Sequence, residues 1–363
     1  MERENLKYWL ALSRIKGAEA PPFRDFLEGA KDIREVFESF ADRIIPEGLE
    51  VVFERIRGFS GWDEVGRELE LLEKHGANLI TIKDSLYPER LRGVYGAPLI
   101  LYAKGAFYDA SLPVMAVVGT RGASHYGLKM AEALSRDLAG AGFVIVSGLA
   151  RGCDSAAHRG ALSITGAKTV AVLGTGIDVI YPGENRRLYE EIAERGLLLS
   201  EFAFSTPPFK QNFPARNRII SGMSLGVVVI EAPLRSGAMT TARLALEQGR
   251  EVFALPGPAD SKKSAGTNKL IKDGATLAEG AEDILRYFFP EKTFLRGVTP
   301  GKEVLADKEE GLIVQLLDEG PLHIDTIIEK TRFPVQKVSS LLLGMELKGM
   351  VEQRPGKFFS YKG

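Results

Sequence analysis

Val114 to Gly148 reads VMAVVGTRGASHYGLKMAEALSRDLAGAGFVIVSG, and this stretch decides the fold. Its two runs VMAVV and FVIVS are apolar at every position rather than at alternate ones, which suits strands buried on both faces. Between them a Gly-bearing turn opens a helical stretch predicted over Tyr126 to Ala141, giving strand, turn, helix, strand. The pattern repeats outward. TVAVL, LLLSE, GVVVIEA and EVFALP are further strand candidates, with helices expected over Asp154 to Thr165, Arg216 to Ser224 and Ala238 to Gln248. The expected class is α/β, with a parallel, doubly wound sheet.

Before this core, residues 1–110 read as mostly helical and acidic, with 16 Lys/Arg against 20 Asp/Glu. YWLALSRIKGAEAPPFRDFLEGAKDIREVF spaces its apolar residues by three and four, and HGANLITIKDSLYPERLRGVYGAPLILYAKG supplies short strands and loops. After the core at 111–289, residues 290–306 carry Gly, Pro and charge without periodicity and read as a linker. The tail, 307–363, predicts three helices and a β-hairpin, the outline of a winged helix.

With 363 residues, 45% of them hydrophobic, the chain exceeds one core and is expected to hold several domains. Its 47 Lys/Arg nearly cancel 48 Asp/Glu, so a polyanion site has to be a local patch. The start, MERENLKYWLALSRIKG, lacks the apolar run of a signal peptide, and no segment reaches the roughly 18 apolar residues of a membrane span. A cytoplasmic protein without membrane contact is expected. The single cysteine, Cys153, excludes an internal disulfide and a multi-cysteine metal site and reads as a small buried residue; no metal and no cofactor is expected.

Three clusters follow predicted strands, where open parallel sheets bind their ligands. In VVGTRGASHYG, Gly119 and Gly122 allow a tight turn that exposes N–H groups to an anion, and Arg121 adds a cation. Its spacing fits neither G-x-G-x-x-G nor the P-loop. In SGLARGCDSAAHRGAL, Ser147 and Gly148 end a strand, Asp154 is the expected N-cap and His158 is expected on the helix surface. A hydrolase triad through Ser147 or Ser155 is rejected, because G-x-S-x-G is absent and a cap explains the spacing more simply. The third cluster is STPPFKQNFPARNRIISGMS. Between Ser205 and Arg250 six basic residues face only Glu231 and Glu247. Lys210, Arg216 and Arg218 interleaved with Phe209 and Phe213 combine phosphate-tracking cations with rings for base stacking. The plainer reading makes the rings core and the arginines a solvated face. The adjacent EAPLRSGAMTTA, with Ser236, Gly237, Thr240 and Thr241 opening a helix, offers a second anion cradle and favours the binding reading.

In order, VVGTRGASHYG, SGLARGCDSAAHRGAL, AVLGTGIDVIYPGEN, FPARNRIISGMS, EAPLRSGAMTTARLALEQGR and FALPG resemble the blocks of the DNA-processing protein A (DprA/Smf) family. The likeness is close over Val114 to Leu285. LITIKDSLYPERL and the tail resemble the family's helical N-terminal domain, of the SAM-like or helix-hairpin-helix-like kind, and its winged helix. The resemblance implies a Rossmann-like core that binds single-stranded DNA, forms a homodimer and loads a RecA-type recombinase during natural transformation, with no catalytic residue. It puts the family's turn on Gly119, Thr120 and Arg121 and its lysine and aromatic on Lys210 and Phe213, continued by Arg216, Asn217 and Arg218. Ser147, Gly148, Arg151, Ser236, Gly237 and Thr240 complete the expected DNA site. GTNKLIKDGATL resembles the family's pairing segment. The tail, with 9 Lys/Arg against 10 Asp/Glu from Pro300 onward, is expected to contact protein rather than read DNA.

The competing expectation is a nucleotide or nucleoside-phosphate hydrolase on a related fold. It lacks a placed carboxylate and base in the sequence, Glu231 being the one acid that ends a strand nearby.

Overall fold

The computed structural model describes residues 3–30, 32–38, 45–290, 313, 316–317, 320–331, 333–347, 351–354 and 356–361. The chain divides into two compact units, Met1–Gly301 and Lys302–Gly363. The expected linker lies, from 291 on, outside the described residues.

In the first unit, helices α1 (Arg3–Ser13), α2 (Pro21–Gly29), α3 (Glu35–Glu38), α4 (Glu50–Arg57) and α5 (Trp62–His75) precede β1 (Asn78–Thr81), α6 (Glu89–Arg92) and β2 (Ile100–Gly105). Then come β3 (Val114–Val118), α7 (His125–Gly140), β4 (Val144–Ser147), α8 (Cys153–Leu162), β5 (Thr169–Leu173), α9 (Arg186–Arg195) and β6 (Leu197–Ser200). The unit ends with α10 (Asn212–Gly222), β7 (Gly226–Val229), α11 (Gly237–Glu247), β8 (Glu251–Ala254), α12 (Ala265–Lys272), β9 (Thr276–Leu277) and α13 (Ala281–Phe288).

Nine strands form one sheet in the order β1-β2-β6-β5-β4-β3-β7-β8-β9. From β6 to β9 every pairing is parallel. Strand side chains alternate faces as the pleat requires: Val114, Ala116 and Val118 join one core, Met115 and Val117 the other. Helices cover both sides, with α7, α8 and α13 on the Met115 side and α9, α10 and α11 on the other. This is the expected doubly wound architecture. The chain winds outward from β3 to β6 and then returns to pair β7 with β3, so the strand order reverses between β3 and β7. Open α/β sheets place their binding crevice at that point.

The expected boundary at residue 110 falls inside continuous structure, because β2 pairs antiparallel with β6. Glu68, buried on α5, accepts hydrogen bonds from the Tyr102 hydroxyl (2.7 Å), from the Phe204 N–H (3.1 Å) and from Arg14. One carboxylate thus fastens the N-terminal helices to the sheet.

The second unit has β10 (Leu322–His323), α14 (Ile324–Thr331), α15 (Val335–Leu347), β11 (Val351–Arg354) and β12 (Phe358–Tyr361), with β12 between β10 and β11. Ile313 and Leu317, also helical, join Ile327, Val338, Leu342, Met345, Val351 and Phe359 in its core. Among the described residues no helix is long and apolar enough to cross a membrane.

Candidate nucleic-acid interface

At the carboxyl ends of β3 and β7 lies a cleft of about 690 Å³, walled by α10 on one side and by the start of α11 on the other. Its lining includes Gly119, Thr120, Arg121, Asp154, Tyr181, Lys210, Phe213, Arg216, Asn217, Arg235, Ser236, Gly237 and Thr240. A recess of about 50 Å³ adjoins it, bounded by Arg121, Gly148, Arg151, Gly174, Tyr181 and Phe213. Three sequence clusters from separate segments therefore meet in one place.

α10 begins four residues earlier than the sequence predicts, at Asn212. This brings Phe213 into its first turn, one helical turn before Arg216, and turns both toward the strand ends. The Phe213 ring is half-buried. The Arg121 guanidinium lies over it, 5.0 Å from the ring centre, and Tyr181 meets it at 5.6 Å and 44°. Arg121, Lys210 and Arg235 are exposed on the rim, with no ion pair among the described residues. Arg151 is exposed but paired with Glu184 at 2.6 Å.

The floor is different in kind. Arg216 is only 3% exposed. Its guanidinium donates to the carbonyl of Gly148 (2.7 Å), to that of Val172 and, through Nε, to Asn217 Oδ1 (3.1 Å). It ties α10 to the ends of β4 and β5. A Cβ at Gly148 would stand 2.5 Å from the guanidinium, so a larger residue there would displace the Arg216 head. Burial lowers the Arg216 pKa to about 10 against the opposing pull of Asp154.

Asp154 does not cap α8. That position belongs to Gly152, whose φ of 76° and close approach to the Thr120 carbonyl leave no room for a Cβ. Asp154 sits inside the first turn, largely buried at the edge of the cleft, its pKa raised by burial against the pull of Arg216 and of the backbone N–H groups of Ala150, Gly148 and Gly119. Nor is His158 on a surface. It is fully buried, and Thr169 Oγ1, which donates to the Ile145 carbonyl (2.8 Å), accepts from its Nδ1–H at 2.7 Å. Burial first, then Arg216 and Arg159, push its pKa down to about 3.

Several expected ligand contacts are consumed by the fold. Ser147 is buried, its hydroxyl donating to the Val117 carbonyl at 2.6 Å. The Gly119 N–H is directed at Asp154, the Thr120 N–H donates to the Glu231 carbonyl (2.7 Å) and the Gly122 N–H to Thr120 Oγ1 (3.3 Å). The turn consequently offers the cleft a cation, Arg121, rather than the expected cradle of amides. Arg218 points away from the cleft, paired in a fork with Glu201 (2.9 and 2.6 Å) and bonded to the Gly96 carbonyl. Phe209 is exposed outside the cleft lining. At the second cradle Ser236 caps the Met239 N–H (3.4 Å) and the exposed Gly237 faces the cleft; Asn217 Nδ2 reaches the Gly237 carbonyl at 3.4 Å.

Sequence reasoning passed over Tyr181 and Arg235. Tyr181 lies in the quoted block AVLGTGIDVIYPGEN, where an aromatic beside a proline after a Gly-rich strand end was a usable signal. Arg235 was counted in the basic patch but not assigned to it. Glu231, the acid nearest the strand ends, is buried and accepts from Ser124 N (2.8 Å) and Ser124 Oγ (2.5 Å) at the start of α7. Among the described residues no three His, Cys, Asp or Glu gather as metal ligands.

The family model described as DNA recombination-mediator protein A matches residues 78–289, and that of the DprA winged helix domain matches 299–357. Protein Smf of Escherichia coli is 37% identical over 330 residues, 88% of each chain. The X-ray structure of DprA from Streptococcus pneumoniae superposes with a TM-score of 0.62 at 36% identity, over 79% of this chain and 97% of that one. A Helicobacter pylori DprA structure, described for its single-stranded DNA binding mode, superposes at 0.54 and 32% identity over 60% and 98%. On these matches the chain belongs to the DNA recombination-mediator protein A family, the DprA/Smf proteins.

Proposed function

We propose that the cleft between β3 and β7 holds single-stranded DNA with little sequence preference, and that the protein, as a cytoplasmic homodimer, passes the strand to a RecA-type recombinase without catalysing a reaction on it. The observation that carries this reading is the rung Arg121–Phe213–Tyr181, flanked by Lys210 and Arg235: rings for bases and unpaired cations for phosphates on one rim. Gly119, Thr120, Asn217, Ser236, Gly237 and Thr240 shape its walls. The Helicobacter relative, with its single-stranded DNA binding mode, supports the ligand class. A hydrolase reading would need a carboxylate or imidazole free to act, whereas Glu231 is bonded to Ser124 at the start of α7, Asp154 is only 7% exposed at the cleft and His158 is fully buried.

The test is a competition titration of the full chain with single-stranded, duplex and mononucleotide ligands at several salt concentrations. Single strands are expected to bind far more tightly than duplex or mononucleotide. With about four phosphates neutralised, log affinity falls against log salt with a slope of roughly −3. Equal affinity for duplex, or a flat salt response, would overturn the reading. Handover is read separately, as faster nucleation of recombinase filaments; its absence would remove that step and leave the binding.

A further inference from the structure

Beside the cleft, on the other flank of α10, the loop after α6 carries Tyr95, 81% exposed and the most exposed large apolar side chain among the described residues. A lone exposed tyrosine is ordinary. The backbone that carries this one is braced on several sides. Arg24 donates to the carbonyls of Arg92 and Val94, Arg218 to that of Gly96 and Arg250 to that of Arg90, so three guanidiniums brace the loop from beneath. Gly96, at φ 67°, turns the chain immediately after the ring.

The surroundings are basic. Arg24, Arg90, Arg92, Arg218 and Arg250 converge here; the acids among them are committed, Glu89 to Arg92, Glu201 to Arg218 and Asp84 to Thr81. Arg90 is exposed with no ion pair among the described residues. α10 lies between this platform and the cleft: Phe213 and Pro214 on its first turn line the cleft, while Arg218, further along, spans from the Ala215 carbonyl to Gly96.

We infer that Tyr95 is a second base-stacking platform, on which a single strand leaving the cleft over the first turn of α10 rests its next bases while Arg90 meets a phosphate. The inference rests on the proposed DNA reading of the cleft. A loop backbone already held in place adds little ordering cost on binding, and stacking on its ring is indifferent to sequence.

The full chain would be titrated with oligothymidylates of about 5 and about 20 nucleotides, lengths below and beyond a single compact site. Tyr95→Ala is expected to weaken the longer ligand about tenfold, within the range of one lost stack, and to leave the shorter one unchanged. Tyr95→Trp should restore the longer, and Arg90→Ala should make the long-ligand salt slope shallower by about 0.7. Phe213→Ala, run in parallel, is expected to weaken both lengths. Equal affinity of Tyr95→Ala and wild type for the longer strand, with Phe213→Ala impaired, would overturn this inference alone. If neither variant changes binding, the cleft reading falls too. Normal DNA binding by Tyr95→Ala with lost recombinase handover would make the platform a protein contact and also overturn the inference.

Discussion

The floor and the rim of the cleft both use arginine, and they put it to opposite work. On the floor, Arg216, Asp154, His158 and Ser147 are buried: Arg216 and Ser147 donate to strand carbonyls, His158 to Thr169 Oγ1, and Asp154 is drawn to loop amides. On the rim, Arg121, Lys210 and Arg235 stand exposed without ion pairs among the described residues, and Phe213 and Tyr181 leave part of their surface open, Tyr181 being 40% exposed. A buried charge is costly unless paired and bonded, so it becomes part of the scaffold; an exposed one costs little and remains available. The difference teaches that basic count alone does not locate a polyanion site: of the cations between Ser205 and Arg250, Arg216 and Arg218 hold the protein together, and Lys210 and Arg235 face outward.

The largest expected effect tests the floor. Arg216→Ala would leave the Gly148 and Val172 carbonyls without a donor and remove the positive charge that favours the Asp154 carboxylate. A buried acceptor left unsatisfied typically costs about 1–3 kcal/mol of stability. Thermal melting is therefore expected to fall steeply, with DNA affinity lost in proportion to unfolding. A variant that melts like the wild type yet binds with a shallower salt slope would put Arg216 among the phosphate contacts and erase the distinction between floor and rim.

His158 sharpens the same comparison through pH. Its folded pKa, about 3, lies below the ordinary value of about 6.5. Between these values the unfolded chain takes up a proton that the folded chain refuses, so stability falls as pH falls, by up to about 1.4 kcal/mol per pH unit for this group. The raised pKa of Asp154 works in the opposite sense, which is why the comparison has to be wild type against His158→Gln, where the Asp154 contribution is common to both. The difference in unfolding free energy is expected to slope through this window and flatten above neutrality. A difference that does not change with pH would mean that the imidazole is accessible to solvent protons.

The strands were legible because both-face burial leaves uninterrupted aliphatic runs such as VMAVV and GVVVIEA, and the crevice followed from where Gly-bearing turns succeed them. Less legible was the start of α10, since Pro214 is tolerated in a first helical turn and the residues before Arg216 look like loop. Roles within the patch were not legible at all. Arg216, Arg218 and Lys210 are near neighbours in sequence, and their fates depend on which carbonyls and acids arrive from Gly148, Val172, Glu201 and Gly96. The same applies to the Gly119–Arg121 turn, where a predicted amide cradle is filled by Asp154 and the Glu231 carbonyl, partners distant in sequence.

The smallest effect is also the most local, and it pairs two arginines that the sequence treats alike. Arg121 projects over the Phe213 ring on the rim, whereas Arg218 is clasped by Glu201 at 2.6 Å and partly buried. If the strand tracks the rim, Arg121→Ala should make the dependence of log affinity on log salt shallower by about 0.7, one phosphate on a single strand. Arg218→Ala removes a charge already neutralised by its neighbour, so its slope should match the wild type, even if the loop at Gly96 loosens and melting falls slightly. Lys210→Ala and Arg235→Ala, both on the rim, should each behave like Arg121→Ala. Titrations at four or more salt concentrations resolve a change of this size. Equal slope losses for Arg121→Ala and Arg218→Ala would mean that the strand displaces Glu201 from Arg218, and Arg218 would then have to be counted among the phosphate contacts.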